Sequence, residues 1–283
     1  MALPLDQKKY VLEHAWVPEH SVELMVAISG AEAYLEKDHI YYWDGERLIF
    51  VGYPLQGPFK LRTLEQILDG IVKSLGPSYV NVVAPELPES MIASCQELDK
   101  DEYWRIDLGL FVLNGVLKRA VRRAQRECGL KRGRQFHSEH KQLIEEFVKR
   151  KNMSMRAKAL YFSAEKLLEQ TSTVEMLEVR NQSGLVAFSM VDMGPNNFST
   201  YLLGASSARF LTPGANDLLM YQMVLMAAEA GKGFLNVGLG LNEGIRKFKG
   251  KWRAEPYIGY NHCGFQSKKP SLLDLILKVT KGR

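Results

Sequence analysis

Residues 174–207, VEMLEVRNQSGLVAFSMVDMGPNNFSTYLLGASS, restrict the fold more than any other stretch of this chain. Three β-prone runs are broken at Gln182-Ser183-Gly184 and again at Gly194-Pro195-Asn196-Asn197, so the segment reads as a three-stranded antiparallel meander. ANDLLMYQMVLMAAEAG follows as a helix, with Asn216 or Asp217 near its start and Gly231 past its end. FLNVGLG then reads as a buried strand, EGIRKFKGKW as a basic helix and YIGYNHCGF as a strand. A meander followed by helix, strand, helix and strand makes a mixed, mostly antiparallel sheet flanked by helices, an α/β (α+β) fold. Where the last meander strand and the FLNVG strand splay apart, unpaired backbone groups border a cleft that can hold an extended, amide-containing ligand. The helix after the meander aims its N-terminus at the mouth of that cleft, where an anion is favoured.

The first half of the chain has a similar order. HIYYWDGERLIFVGYPLQ is a hairpin around Asp44-Gly45. TLEQILDGIVKSLG carries Leu64, Ile67, Leu68, Ile71 and Leu75 at helical spacing, with Thr63 as the expected cap and Gly76-Pro77 as the stop. A strand (SYVNVVAP), a short helix near ESMIASC and a strand (EYWRIDL) follow. NGVLKRAVRRAQRECG is a basic helix capped by Asn114, with arginines recurring at three- and four-residue intervals on one face. LKRGRQFH suits a short strand, SEHKQLIEEFVKRKNMS and SAEKLLEQTS two helices, and SLLDLILKVT a closing amphipathic helix. Hairpin, helix, strand, short helix, strand thus occurs twice, and the expected division is a shorter unit over 1–130 and a complete one over 131–283.

Composition limits the partners. A formal charge of +5 and a pI near 8.9 over 283 residues suit phosphate-bearing ligands without amounting to a nucleic-acid coat. Cys95, Cys128 and Cys263 are odd in number and fit no metal-ligand spacing, which leads to the expectation of reduced thiols and a cytoplasmic location. The first residues lack a signal-peptide core, and no run approaches the roughly 20 apolar residues of a membrane span.

The order of elements, together with TYLLGASSARFLTPGANDLLMYQMVLMAAEAGKGFLNVGLGLNEGIRKFKGKW, resembles the tandem GNAT (Gcn5-related N-acyltransferase) proteins. The likeness is to Fem-type aminoacyltransferases and the related phosphatidylglycerol lysyltransferase C-terminal domain. It rests on a Tyr- and Gly-bearing strand, a proline shortly before a long helix ending in Ala-x-x-x-Gly, a glycine-bearing strand, and Gly244, Phe248 and Lys249 as Gly-x-x-x-Phe-Lys. YWRIDLG leading into an arginine-rich helix is similar to the family's domain junction. The resemblance implies two GNAT-like units and transfer of an acyl or aminoacyl group from a polyanionic donor, acyl-CoA or aminoacyl-tRNA, to an amine, with no metal and no bound cofactor required.

On that basis Tyr201, as oxyanion donor or general acid, and Lys249 are the catalytic candidates. Arg209, Gly214, Ala215, Asn216, Asn236, Arg246 and Lys249 are candidates for binding the donor, and Arg119, Arg122 and Arg123 for lining a groove for phosphate or a tRNA acceptor stem. In ARFLTPGAND, Arg209 stands five residues before Gly214 where the CoA-binding pattern needs three, and Pro213 lacks an N–H. That loop therefore favours the Fem-like donor over CoA. It also supports the alternative reading, a catalytically inactive tandem protein that binds a nucleotide, a phospholipid head group or a protein partner. An RNA-binding role for the arginine helix has no interleaved aromatic residues to support it. His262 and Cys263, adjacent in a strand, point to opposite faces and cannot act together, while Asp192 and Glu243 lack a supporting motif.

Overall fold

The computed structural model describes residues 3–151 and 153–267. The expected closing helix SLLDLILKVT lies outside the described residues. In chain order the elements are α1 (Leu5–His14), α2 (Val22–Ser29), β1 (Glu32–Glu36), β2 (His39–Trp43), β3 (Arg47–Val51), α3 (Leu61–Leu75), β4 (Tyr79–Ala84), α4 (Glu89–Ser94), β5 (Glu97–Asp107), α5 (Gly115–Glu127) and β6 (Gly129–Gly133). Then come α6 (Ser138–Arg150), α7 (Met155–Phe162), α8 (Ala164–Gln170), β7 (Val174–Asn181), β8 (Gly184–Asp192), β9 (Phe198–Ser206), α9 (Ala215–Glu229), β10 (Phe234–Leu239), α10 (Glu243–Lys251) and β11 (Glu255–Gln266).

The chain forms two compact units. One contains Gly30–Asp101 with the strand segment from Gly259, the other Lys8–Ser29 and Glu102–Ile258. In the first, the β2–β3 hairpin sits as Asp44-Gly45 predicts, its turn held by Asp44 Oδ1, which accepts from the N–H groups of Glu46 (3.0 Å) and Arg47 (2.7 Å). β1 adds an antiparallel strand ahead of the hairpin. β3 pairs with β4 in parallel, and β4 pairs antiparallel with residues 261–266 of β11. α3 buries Leu64, Ile67, Leu68 and Ile71 against Leu48, Phe50, Val80 and Val82. It starts three residues earlier than expected, with Lys60 at the cap and no capping side chain, so Thr63 lies within its first turn.

In the second unit the meander β7–β8–β9 is antiparallel, β6 pairs with β7, and β10 joins β9 in parallel. The far edge of β10 pairs antiparallel with β5, from Phe234 opposite Asp107 to Leu239 opposite Tyr103. α5, α9 and α10 bury one face of this sheet around Leu117, Val121, Leu218, Met223 and Trp252. α2, α6, α7 and α8 cover the other around Leu143, Ile144, Leu167, Phe188 and Met190. α7, where no helix is expected, is capped by Ser154, whose Oγ accepts from Ala157 N–H at 3.2 Å.

The division of the sheets departs from a cut at residue 130. β5, last strand of the expected first repeat, pairs with β10 of the expected second, and the end of β11, last strand of the expected second repeat, pairs with β4 of the expected first. Because strand pairing carries the following helix with it, residues 102–130 belong to the second unit. The cysteines also depart from expectation: Cys95 and Cys263 are joined as a disulfide with Cα atoms 5.5 Å apart, leaving Cys128 as the free thiol. Among the described residues, no helix is long and apolar enough to cross a membrane.

Candidate functional site

The expected splay is present. β9 and β10 stay paired only from Phe198/Phe234 to Thr200/Asn236, although β9 runs on to Ser206 and β10 to Leu239. Two irregularities start there. The β8–β9 register shifts between Val191↔Tyr201 and Met190↔Leu203, placing a bulge at Leu202. The β10–β5 register shifts between Asn236 and Leu239, where Gly238 takes φ +77°, a conformation that favours glycine. The sequence thereby breaks the ladder on both strands at one level.

Tyr201 stands at that level on the α9 side. Its hydroxyl occupies the space over Gly204, where an added Cβ would lie 2.4 Å from it, beside the Ser189 hydroxyl. Burial pushes its pKa up to about 12, only partly offset by the hydrogen bond with Ser189, so the phenol stays protonated at neutral pH and is a donor. From the opposite face, Tyr161 donates to the Gly204 carbonyl at 2.9 Å.

Lys249 is 4% exposed and its Nζ donates to the carbonyls of Gly238 (2.7 Å) and Leu239 (2.6 Å), the backbone that β9 has released. The structure therefore places this lysine on β10 and not on an exposed helix face. Phe248 and Trp252 pack in the core as their spacing predicts, and Trp252 is wholly buried. Arg246 is exposed on α10. α10 is locked to α9 through Asp217, which accepts from Lys251 Nζ at 2.7 and 2.8 Å and from Trp252 Nε1 at 3.1 Å.

Gly214 caps α9 at φ +88°, with Ala215 buried and Asn216 exposed in the first turn. A Cβ at Gly214 would meet the Ala120 carbonyl of α5 at 2.4 Å, so the arginine helix packs directly on this loop. Arg209 is exposed nearby in sequence, its guanidinium 5.4 Å from the Phe210 ring centre. Arg119, Arg122 and Arg123 are exposed on α5, and Arg123 pairs with Glu127 at 3.0 Å. The structure thus brings the α9 cap and α5 together, and sets Tyr201, Asn236 and Lys249 around the splay.

Asn236, fully buried, has a structural bonding pattern: its Nδ2 donates to Tyr257 Oη at 2.9 Å, and its Oδ1 accepts from Gly238 N–H at 2.7 Å. Tyr257 Oη donates in turn to the Trp16 carbonyl at 3.1 Å. Beyond this lies a pair that sequence reasoning misses. Tyr103, opposite Leu239, donates to Glu19 Oε1 at 2.5 Å, and burial raises the Glu19 carboxyl above the usual range despite that bond and the Arg156 charge. No local signal marks the pair, whose members stand 84 positions apart. Asp192 is buried and bonded to Thr173 and to Gly194 N–H, Glu243 is exposed in an ion pair with Lys247, and His262 Nε2 lies 3.0 Å from Asn81 Oδ1.

No protein-family model matches the chain, and no curated protein matches it in sequence. Solved structures do match. The C-terminal domain (DUF2156) of a putative lysylphosphatidylglycerol synthetase from Agrobacterium fabrum aligns over 97% of this chain and 95% of its own, at 14% identity and a TM-score of 0.63. FemX aligns over 100% and 99% at 11% identity, TM-score 0.62. A GCN5-related N-acetyltransferase from Kribbella flavida aligns over 90% and 96% at 12% identity, TM-score 0.53. At such identities the likeness is one of fold. The chain has the GNAT-type fold shared by FemX and the lysylphosphatidylglycerol synthetase C-terminal domain.

Proposed function

We propose that this protein is an N-acyltransferase or aminoacyltransferase that moves an acyl or aminoacyl group from a polyanionic donor to an amine. The carrying observation is the break between β9 and β10 after Thr200/Asn236, which frees backbone groups of both strands at one level. An extended donor arm entering there would meet the hydrogen-bonding groups of both strands, with its ester or thioester carbonyl facing free N–H groups. Tyr201, protonated and at the break, is the side-chain candidate for supporting the oxyanion. Lys249 acts through the backbone it holds, fixing the Gly238–Leu239 turn that shapes the β10 wall. Arg209 and Arg246, with the exposed α5 arginines, would meet donor phosphates.

The packing of Ala120 on Gly214, with Pro213 in the loop, narrows the space for a pyrophosphate at the α9 cap and favours aminoacyl-tRNA over acyl-CoA as donor. The proposed location is cytoplasmic, where such donors are found, and the Cys95–Cys263 bond would there be open to reduction. The same engaged groups, Lys249 on two carbonyls and the Tyr201 hydroxyl over Gly204, favour a second reading as a non-catalytic binder of a nucleotide, a phospholipid head group or a protein partner.

A thermal-shift screen of the full chain against CoA, acetyl-CoA, uncharged tRNA and alanyl-tRNA tests both. A donor at ~100 times its dissociation constant adds about 2.7 kcal/mol of stability. A shift with alanyl-tRNA and amide product with an amine support transfer; a shift without product supports the binder; no shift with any donor sinks the transfer reading.

A further inference from the structure

The N-terminal segment places a carboxylate beside the splay, on the side away from α9. Strand alternation sorts the faces. On β5, Trp104 and Ile106 pack toward α5 and α9, so Tyr103 and Arg105 face the other way. There Phe198, Phe234 and Tyr257 pack with Ala15, and Arg105 lies over the Phe234 and Tyr257 rings at 5.5 and 5.3 Å. Thr200, Asn236 and Tyr103 share this face. Thr200 and Asn236 mark the last paired level, and Tyr103, beside Leu239, marks the far end of the β10 stretch that β9 has left.

Thr200 Oγ1 is buried and has no hydrogen-bond partner among the described residues. A buried hydroxyl in that condition destabilises the fold unless something arrives to meet it. At the other end stands Glu19, a partly exposed residue whose carboxyl is itself buried and hydrogen-bonded to Tyr103. Charged and titratable groups facing it are Tyr103 from β5, Arg156 from α7 and Tyr257 from β11, with Arg105 beside Tyr257.

Resting on the transfer reading above, we infer that Glu19 is a catalytic residue, the base that takes a proton from the acceptor's ammonium group. The acceptor then approaches from the Thr200–Tyr103 side and the donor from the α9 side. The class of acceptor follows: a primary alkylamine, cationic at neutral pH, which the carboxylate both attracts and deprotonates. The ammonium gives one proton to Glu19, and the neutral nitrogen adds to the donor carbonyl carbon. As the C–N bond forms and the C–O or C–S bond to the donor breaks, a second proton passes from nitrogen to the leaving oxygen or sulfur. Glu19 returns the first proton to solvent. A carboxyl raised by burial has basicity better matched to this task than an exposed one. Tyr103 is a positioning residue that stabilises the charged carboxylate.

Two acceptors separate the roles, in the full chain with alanyl-tRNA and acetyl-CoA as donor probes. Glycinamide must lose a proton before attack; hydroxylamine is largely unprotonated at neutral pH. Glu19→Gln is expected to slow transfer to glycinamide roughly 100-fold while hydroxamate formation stays within about threefold. Tyr103→Phe, which keeps the ring, is the second variant should Glu19→Gln fail to fold. Activity falls with acidity as the carboxylate protonates, and losing the Tyr103 bond raises the Glu19 pKa, so this limb is expected at higher pH. Wild-type transfer with both acceptors affected alike in Glu19→Gln, or an unmoved acid limb in Tyr103→Phe, overturns the role of Glu19 and leaves the transfer reading standing. A wild-type protein that makes neither product from either donor overturns both.

Discussion

Lys249 shows how a residue's type can be legible while its partners are not. Gly244, Phe248 and Lys249 stand out by spacing, and Phe248 and Trp252, four positions apart, share the stripe that packs in the core. That the ammonium turns onto the Gly238 and Leu239 carbonyls depends on a turn in another element. Hydrogen bonds to a charged donor contribute about 1.5–3 kcal/mol each, and both acceptors lose this partner when it is removed. Lys249→Met, which keeps the aliphatic stem, is therefore expected to lower unfolding free energy by about 3 kcal/mol in urea titration. A change under about 0.5 kcal/mol would show that the lysine is not held as described. Glu19 is the opposite case: an acidic residue in an unremarkable segment, Trp16-Val17-Pro18-Glu19-His20, whose role arises wholly from its contact with Tyr103.

At the scale of elements, the meander, α3, α5, α9 and α10 follow their periodicities and turn residues, because those signals act within a few residues of each other. Asn114 caps α5 as expected, its side chain accepting from Leu117 N–H at 2.9 Å. Thr63 does not cap α3, since the backbone enters the helix three residues sooner. Two glycines give contrasting expectations. Gly214 has both a left-handed φ and the Ala120 carbonyl in the way of a Cβ, so Gly214→Ala is expected to cost about 2–3 kcal/mol and loosen α9 from α5. Gly70, exposed within α3 with open space around it, should gain about 0.5–1 kcal/mol as Ala. Thermal midpoints of the two variants would then move in opposite directions; a midpoint for Gly214→Ala that holds or rises would mean that the packing of α9 on α5 is not as described.

For the whole molecule, the disulfide between Cys95 and Cys263 spans 168 positions and ties the end of β11 beside α4. A cross-link closing so long a loop restricts the unfolded chain strongly, by roughly 3–5 kcal/mol. Reduction, or Cys95→Ser, is expected to lower the thermal midpoint of the oxidised protein, while Cys128→Ser leaves it unchanged; equal midpoints with and without reductant would show that the bond contributes nothing. Three cysteines without a motif cannot announce such a bond, because its geometry is made by the fold. The amino-acid sequence by itself determined the identity and order of nearly all elements, the mixed sheet and which two strands splay apart, each through short-range patterning. Only the tertiary structure decided the exchange of β5 and β11, the cysteine pairing, the burial of Lys249 and the meeting of Glu19 with Tyr103. These depend on contacts between residues far apart in the chain, whose free energy is realised only once the sheets have closed.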